Sequence, residues 1–208
     1  FESFNSDRAL LDSVKYYLDK TAEKNDSYSA VLIHYYYLQQ DFKNIITTSS
    51  AFKKITKLDA WTAYRVGEAF LNTQSYTEAA TYFQQAVNEE KYNLDYNFKL
   101  ATAKIFSGKS EEAENLLQFI VAENPTYHMA WNNLGVLQAG KGNYLEAEKS
   151  LTKAIQLDPD YVLARIKLAE LFIATRQRTK AREAISYLEK YYPELQELPK
   201  LTLQLRSI

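Results

Sequence analysis

The side chains best suited to catalysis are few and scattered. His34 and His128 are the only histidines, and neither stands in a His-Glu-x-x-His pattern or near a second ligand at metal-binding spacing, so no metal centre is expected. Cysteine is absent. That removes thiol nucleophiles, disulfides and cysteine-ligated zinc or iron–sulfur centres, and it suits a reducing and an oxidising compartment equally. The acid pairs Glu89-Glu90 and Glu111-Glu112 could serve as general acid and base, but both fall beside predicted turns, where charge normally forms a solvated face. No G-x-G-x-x-G, phosphate-loop or G-x-S-x-G pattern occurs. The expectation is a chain that is not an enzyme and carries no cofactor.

Composition narrows the class further. With 25 Lys+Arg against 26 Asp+Glu, 46% hydrophobic residues and a formal net charge of -1, the chain is neither disordered nor built for phosphate backbones. An RNA-binding repeat is accordingly the weaker of the binding readings, and no nucleic acid is expected as partner. No apolar run reaches the roughly 18 residues needed to cross a bilayer, which predicts no membrane insertion. The opening Phe1-Glu2-Ser3-Phe4-Asn5 has neither an initiator Met nor a signal-peptide pattern, which predicts a piece of a longer chain.

The elements that position these residues are announced by punctuation. Pro125, Pro159 and Pro193 are spaced 34 residues apart, and windows of that length run through 26–59, 60–93, 94–127, 128–161 and 162–195 without a gap. The eighth place of successive windows reads Ile33, Gly67, Ala101, Gly135, Ala169, and the twentieth reads Ile45, Ala79, Ala113, Ala147, Ala181. Small residues there would let two antiparallel helices approach near the short end of the usual ~8–10 Å spacing. The seventh place (Leu32, Val66, Leu100, Leu134, Leu168) and the twenty-fourth (Ser49, Phe83, Leu117, Leu151, Ile185) form a largely apolar stripe on each helix. Short polar turns at Gln40-Asp41, Gln74-Ser75, Gly108-Lys109, Gly142-Asn143 and Arg176-Gln177 separate the helices, and the prolines end the second ones.

In the window 128–161, Trp131, Leu134, Gly135, Gly142, Tyr144, Ala147, Leu151, Ala154 and Pro159 match the tetratricopeptide consensus, so the chain resembles the tetratricopeptide repeat family. The resemblance implies an all-α fold, a right-handed α-solenoid of antiparallel helix pairs. The window 26–59 is degenerate, with isoleucine at both small places and Lys57 where proline is expected; 60–93 has Lys91 at that place. Residues 1–25 would hold the second helix of a truncated preceding repeat, over Asp7 to Lys20, because Leu11 and Leu18 fall at the places of Ala147 and Ala154. Residues 196–208 would form a C-terminal cap covering the apolar end, although the alternation of Leu201, Leu203 and Leu205 equally suits a strand.

In the family the first helix of each repeat lines the concave surface. Steps of three and four then place the second, fifth, sixth, ninth, twelfth and thirteenth residues of a window in that groove. The sixth-place row is Val31, Arg65, Lys99, Asn133, Lys167, three cations and an amide in line, flanked by Trp61, Tyr64 and Phe98. Of the run Tyr35-Tyr36-Tyr37, Tyr36 falls at a place commonly aromatic and buried and Tyr37 at one that looks into the groove. Arg65, Lys99, Asn133 and Lys167 are therefore expected to orient a peptide or protein segment with acidic and apolar residues, with Trp61, Tyr64, Phe98 and Tyr37 giving apolar contact. The competing reading pairs the cations with Glu68, Asp95 and Glu170. The family's two-carboxylate chaperone clamp needs Lys at the fifth and Asn at the ninth place of one repeat. Here those places hold Ala30 and His34, Tyr64 and Glu68, or Phe98 and Thr102, which predicts no clamp-type binding of a chaperone C-terminus. The alternative function is structural, a spacer or self-association module of a larger protein.

Overall fold

The computed structural model describes residues 13, 15, 16, 19, 20, 26–51 and 58–208. Among the described residues eleven helices and no strands occur: α1 (Asp26–Leu38), α2 (Phe42–Ala51), α3 (Ala60–Asn72), α4 (Tyr76–Glu89), α5 (Leu94–Phe106), α6 (Ser110–Glu123), α7 (His128–Gly140), α8 (Tyr144–Leu157), α9 (Val162–Ala174), α10 (Arg178–Tyr191) and α11 (Leu198–Arg206). The first ten fall into consecutive pairs joined by tight turns. Of the expected helix over Asp7 to Lys20, residues 13, 15, 16, 19 and 20 are helical; Leu11 and Leu18, like Lys57, lie outside the described residues.

Each turn within a pair is built the same way. Gln40, Gln74, Gly108, Gly142 and Arg176, spaced 34 apart, all adopt positive φ, from 56° to 82°. The next residue then donates its N–H back to a carbonyl five residues earlier: Asp41 to Tyr36, Ser75 to Phe70, Lys109 to Lys104, Asn143 to Gln138 and Gln177 to Phe172, at 2.8–2.9 Å. This is the Schellman closure of a helix end, which needs one left-handed residue. Glycine supplies it freely at two turns. At the other three, glutamine or arginine adopts it at a cost of about 1 kcal/mol. The three prolines each fall two residues beyond a helix end, after α6, α8 and α10.

The chain divides into two compact units, Phe1–Ala113 and Glu114–Ile208. In the first, Ile33, Ile45, Val66 and Ala69 form a fully buried cluster with Tyr36, Tyr37 and Phe70 packed around it. The isoleucines at the usually small places are thus core residues, and Phe83 lies against Gly67. Tyr35, not Tyr36, is the buried member of the tyrosine run; Tyr36 is half-buried at the edge of two clusters. In the second unit Ala147, Leu151 and Leu171 form one cluster. A second gathers Ile166, Ala169, Ile185 and Leu188 with Leu198 and Leu201 of α11. The leucine alternation near the end is therefore helical: Leu201 is buried, Leu205 is half-buried against the same cluster, and Leu203 points out.

Candidate functional site

In the first unit the candidate site is assembled on α3. The Asp59 carboxylate caps this helix, accepting from the Thr62 N–H at 2.9 Å and from its hydroxyl at 2.7 Å, which fixes the first turn. Trp61, Tyr64, Arg65 and Glu68 then follow at helical spacing on one face. Tyr37 and His34 approach from α1 and Lys99 from α5. Glu68 is the hub. One carboxylate oxygen accepts from the Lys99 ammonium at 2.6 Å and the other from the Tyr37 hydroxyl at 2.5 Å. Lys99 is thus already paired, as the competing reading of the sequence had it.

Arg65 has a different environment. Only 9% of its surface is exposed. Its guanidinium lies over the Trp61 ring and 4.7 Å from the Tyr37 ring centroid. Among the described residues it has no ion pair with a carboxylate, and its Nη1 is buried without a hydrogen-bond partner. Burial pushes the guanidinium down to about 10, only partly opposed by Tyr37 and Glu68. Trp61, 42% exposed, also packs its ring 4.7 Å from that of His34. The His34 imidazole is held below its ordinary range by burial first and the Arg65 charge second, and its Nδ1 is likewise buried without a partner.

The aromatic residues divide between core and surface. Tyr64 sits between Tyr96 and Phe83, with ring centroids at 4.9 and 5.7 Å. Burial pushes its hydroxyl well up, reinforced by the Glu68 carboxylate. The same two causes push Tyr37 up to about 12. Phe98 is half-buried on α5. A cleft of about 430 Å³ opens beside the hub, lined by Tyr37, Leu38, Gln40, Phe42, Glu68 and Asn72.

Asn133 and Lys167 belong to the second unit. There Lys167 pairs with Glu170 one turn along α9 at 2.8 Å, and Asn133 accepts from the Asn132 side-chain amide at 3.0 Å. Asn132 is buried with its Oδ1 unpartnered. A cleft of about 710 Å³ in this unit is lined instead mostly by α8, including Leu145, Lys149 and Lys153, together with Trp131. Sequence reasoning named Glu68 only in the competing reading, as a partner for the cations, and not as the centre of a network. The signal for its role was an acid at the ninth place facing a cation at the sixth place of the following window. Among the described residues no cluster of three metal-ligating side chains occurs, and no helix is long and apolar enough to cross a membrane.

Paired helices closed by five equivalent left-handed turns define a helical-repeat protein. Residues 128–161 match the family model of the tetratricopeptide repeat. It is 29% identical over 159 residues to the mouse protein O-mannosyl-transferase TMTC3 and 24% identical to the human one, alignments that cover 69% of this chain and 17% of each relative. The chain thus spans about a sixth of the length of these relatives. Among solved structures it resembles a tetratricopeptide repeat protein from Parabacteroides merdae, with a TM-score of 0.75, 19% identity and coverage of 88% of this chain and 73% of that one. It also resembles YrrB, described as a tetratricopeptide protein with an unusual peptide-binding site, with a TM-score of 0.74, 17% identity and coverage of 95% and 100%.

Proposed function

We propose that the chain is a non-catalytic protein–protein interaction module that takes an extended or helical segment of a partner on the first-helix face of its repeats. The observation that carries this reading is Trp61. A large aromatic ring stands two-fifths exposed on that face, backed by a buried cation and bordered by an ordered polar network. Rigid aromatic anchors beside fixed polar groups are what peptide recognition uses. Trp61, Arg65, Tyr37 and Tyr64 form the contact surface of the first unit, with Phe98 extending it. Lys99 acts by holding Glu68, while Asn133 and Lys167 are the corresponding contacts of the second unit. The peptide-binding site named for YrrB supports the reading by analogy of fold.

The test is selection from a random displayed-peptide pool on the chain and on a Trp61→Ala variant. Peptides recovered with the parent and lost with the variant are expected; equal recovery on both would move binding off this face. A second reading, self-association within a larger assembly, is favoured by Leu203 on α11, which stands 68% exposed. Molar mass measured over a range of concentrations separates the two, since only self-association makes it rise.

A further inference from the structure

We propose that Arg65 is the floor of a pocket for a single carboxylate of the bound segment, with the Trp61 indole as its movable cover. The proposal rests on the peptide-binding reading above and adds the chemistry of the ligand. A guanidinium nine-tenths buried ordinarily has a carboxylate partner, because removing an ion from water without one is costly. Here the carboxylates whose charges reach Arg65 are already engaged. Glu68 is held by Lys99 and Tyr37, and Asp59 by the Thr62 backbone and hydroxyl. Neither carboxylate makes an ion pair or hydrogen bond with Arg65, whose Nη1 lacks any hydrogen-bond partner. Two aromatic faces, Trp61 and Tyr37, substitute for the missing anion by cation–π contact, which is weaker than a charge-assisted hydrogen bond.

The walls are unequal. Tyr37 is tied down by its hydrogen bond to Glu68. Trp61 is the second residue of α3, its ring is substantially exposed, and its packing partner His34 is itself unsatisfied at Nδ1. Turning the indole aside opens the edge of the guanidinium, and a carboxylate placed there satisfies Nη1 while the displaced ring packs against the neighbouring apolar residue of the ligand. Lys99 has no part in this contact. The pocket is distinct from a row of cations reading an acidic stretch: it reads one carboxylate.

The experiment uses three pools of short synthetic peptides with the same apolar flanks. The first has one internal Asp or Glu and an amidated C-terminus, the second has Asn or Gln at that position and the same amide, and the third is neutral with a free C-terminal carboxylate. Binding is read on the Trp131→Phe protein, which leaves Trp61 as the single indole reporter. The acidic pool is expected to bind about thirtyfold more tightly than the amide pool, the scale of a buried charge pair, and to change the Trp61 emission. Binding by the third pool in place of the first would assign the pocket to a chain terminus, its carboxylate still resting on Arg65. Arg65→Gln should erase the preference for acid over amide, and an unchanged far-ultraviolet circular dichroism spectrum and urea midpoint show that the variant is folded. If the amide pool binds as tightly as the acidic one, the carboxylate pocket is wrong while peptide binding stands. If no pool binds and the displayed pool also yields nothing, peptide binding itself fails.

Discussion

Substituting Gly67 by Ala tests how closely the paired helices approach. A Cβ built at Gly67 would lie 2.7 Å from both Cδ1 and Cε1 of Phe83 and 3.1 Å from its Cγ. Carbon atoms in ordinary contact stand roughly 3.5–4.0 Å apart, so the ring would have to retreat by about 1 Å. Phe83 is fully buried and its ring packs on Tyr64, so the displacement would propagate into α3. Overpacking of this kind costs about 1–3 kcal/mol. Against it stands the helix propensity gained when Ala replaces Gly in a helix interior, about 1 kcal/mol. The net expectation is a loss of about 1 kcal/mol. Gly140→Ala supplies the control, because this residue is also helical and nothing lies within 4 Å of a Cβ there. It should gain up to about 1 kcal/mol. Urea unfolding followed by far-ultraviolet circular dichroism measures both variants. In a Phe83→Leu background, Gly67→Ala should lose most of its cost. A Gly67→Ala protein as stable as Gly140→Ala would refute the close-approach account of the small residues.

Further outcomes follow from the polar network and the turns. A double-mutant cycle on Glu68 and Lys99 should give a coupling of about 1 kcal/mol, because Glu68 is nearly buried. The same cycle on Lys167 and Glu170, both well exposed, should give about 0.3 kcal/mol. Tyr37 holds its proton to about 12 in the folded chain against about 10 when unfolded. The stability it contributes is therefore complete below pH 10 and is lost as the pH rises toward 12. Tyrosinate absorbance should show a late-ionising fraction that titrates earlier in Glu68→Gln but persists, because burial is the larger cause. Arg176→Gly should raise the thermal midpoint, since glycine adopts the left-handed turn without the penalty of about 1 kcal/mol that arginine incurs. Gly142→Ala should lower it for the same reason.

The fold was legible because it depends on features that repeat. A helix pair in contact demands a small residue at the same place in every window, and five windows in register turn a weak local signal into a strong one. The exceptions are instructive. Ile33 and Ile45 broke the small-residue rule, yet both are fully buried, because what the position requires is burial and a fitting volume and not smallness as such. The turns were placed correctly from their polarity, but glycine at two of them gave no hint that Gln40, Gln74 and Arg176 share its left-handed backbone. Schellman hydrogen bonds impose that conformation on whatever residue the helix ends with, and only the closed structure displays them.

The candidate site was legible only as a list of residue types on one face. Charge at the sixth place of each window looks uniform in sequence, yet it has three different fates. Arg65 is buried under aromatic rings, Lys99 reaches back to an acid on the preceding first helix, and Lys167 pairs one turn along its own helix. What decides among them is the ninth place. An acid there captures any cation within reach, so Glu68 takes Lys99 and Glu170 takes Lys167. Arg65 faces His34 at the ninth place of the preceding window, which cannot neutralise it. Arg65 also has Glu68 at the ninth place of its own window, but that carboxylate is held by Lys99 and Tyr37. On the proposed reading Arg65 is the cation left for a ligand, and His34→Glu should convert it into an internal ion pair, stabilising the first unit while abolishing discrimination between acidic and amide peptides. Retained discrimination in a folded His34→Glu protein would separate ligand recognition from the charge left unpaired at Arg65.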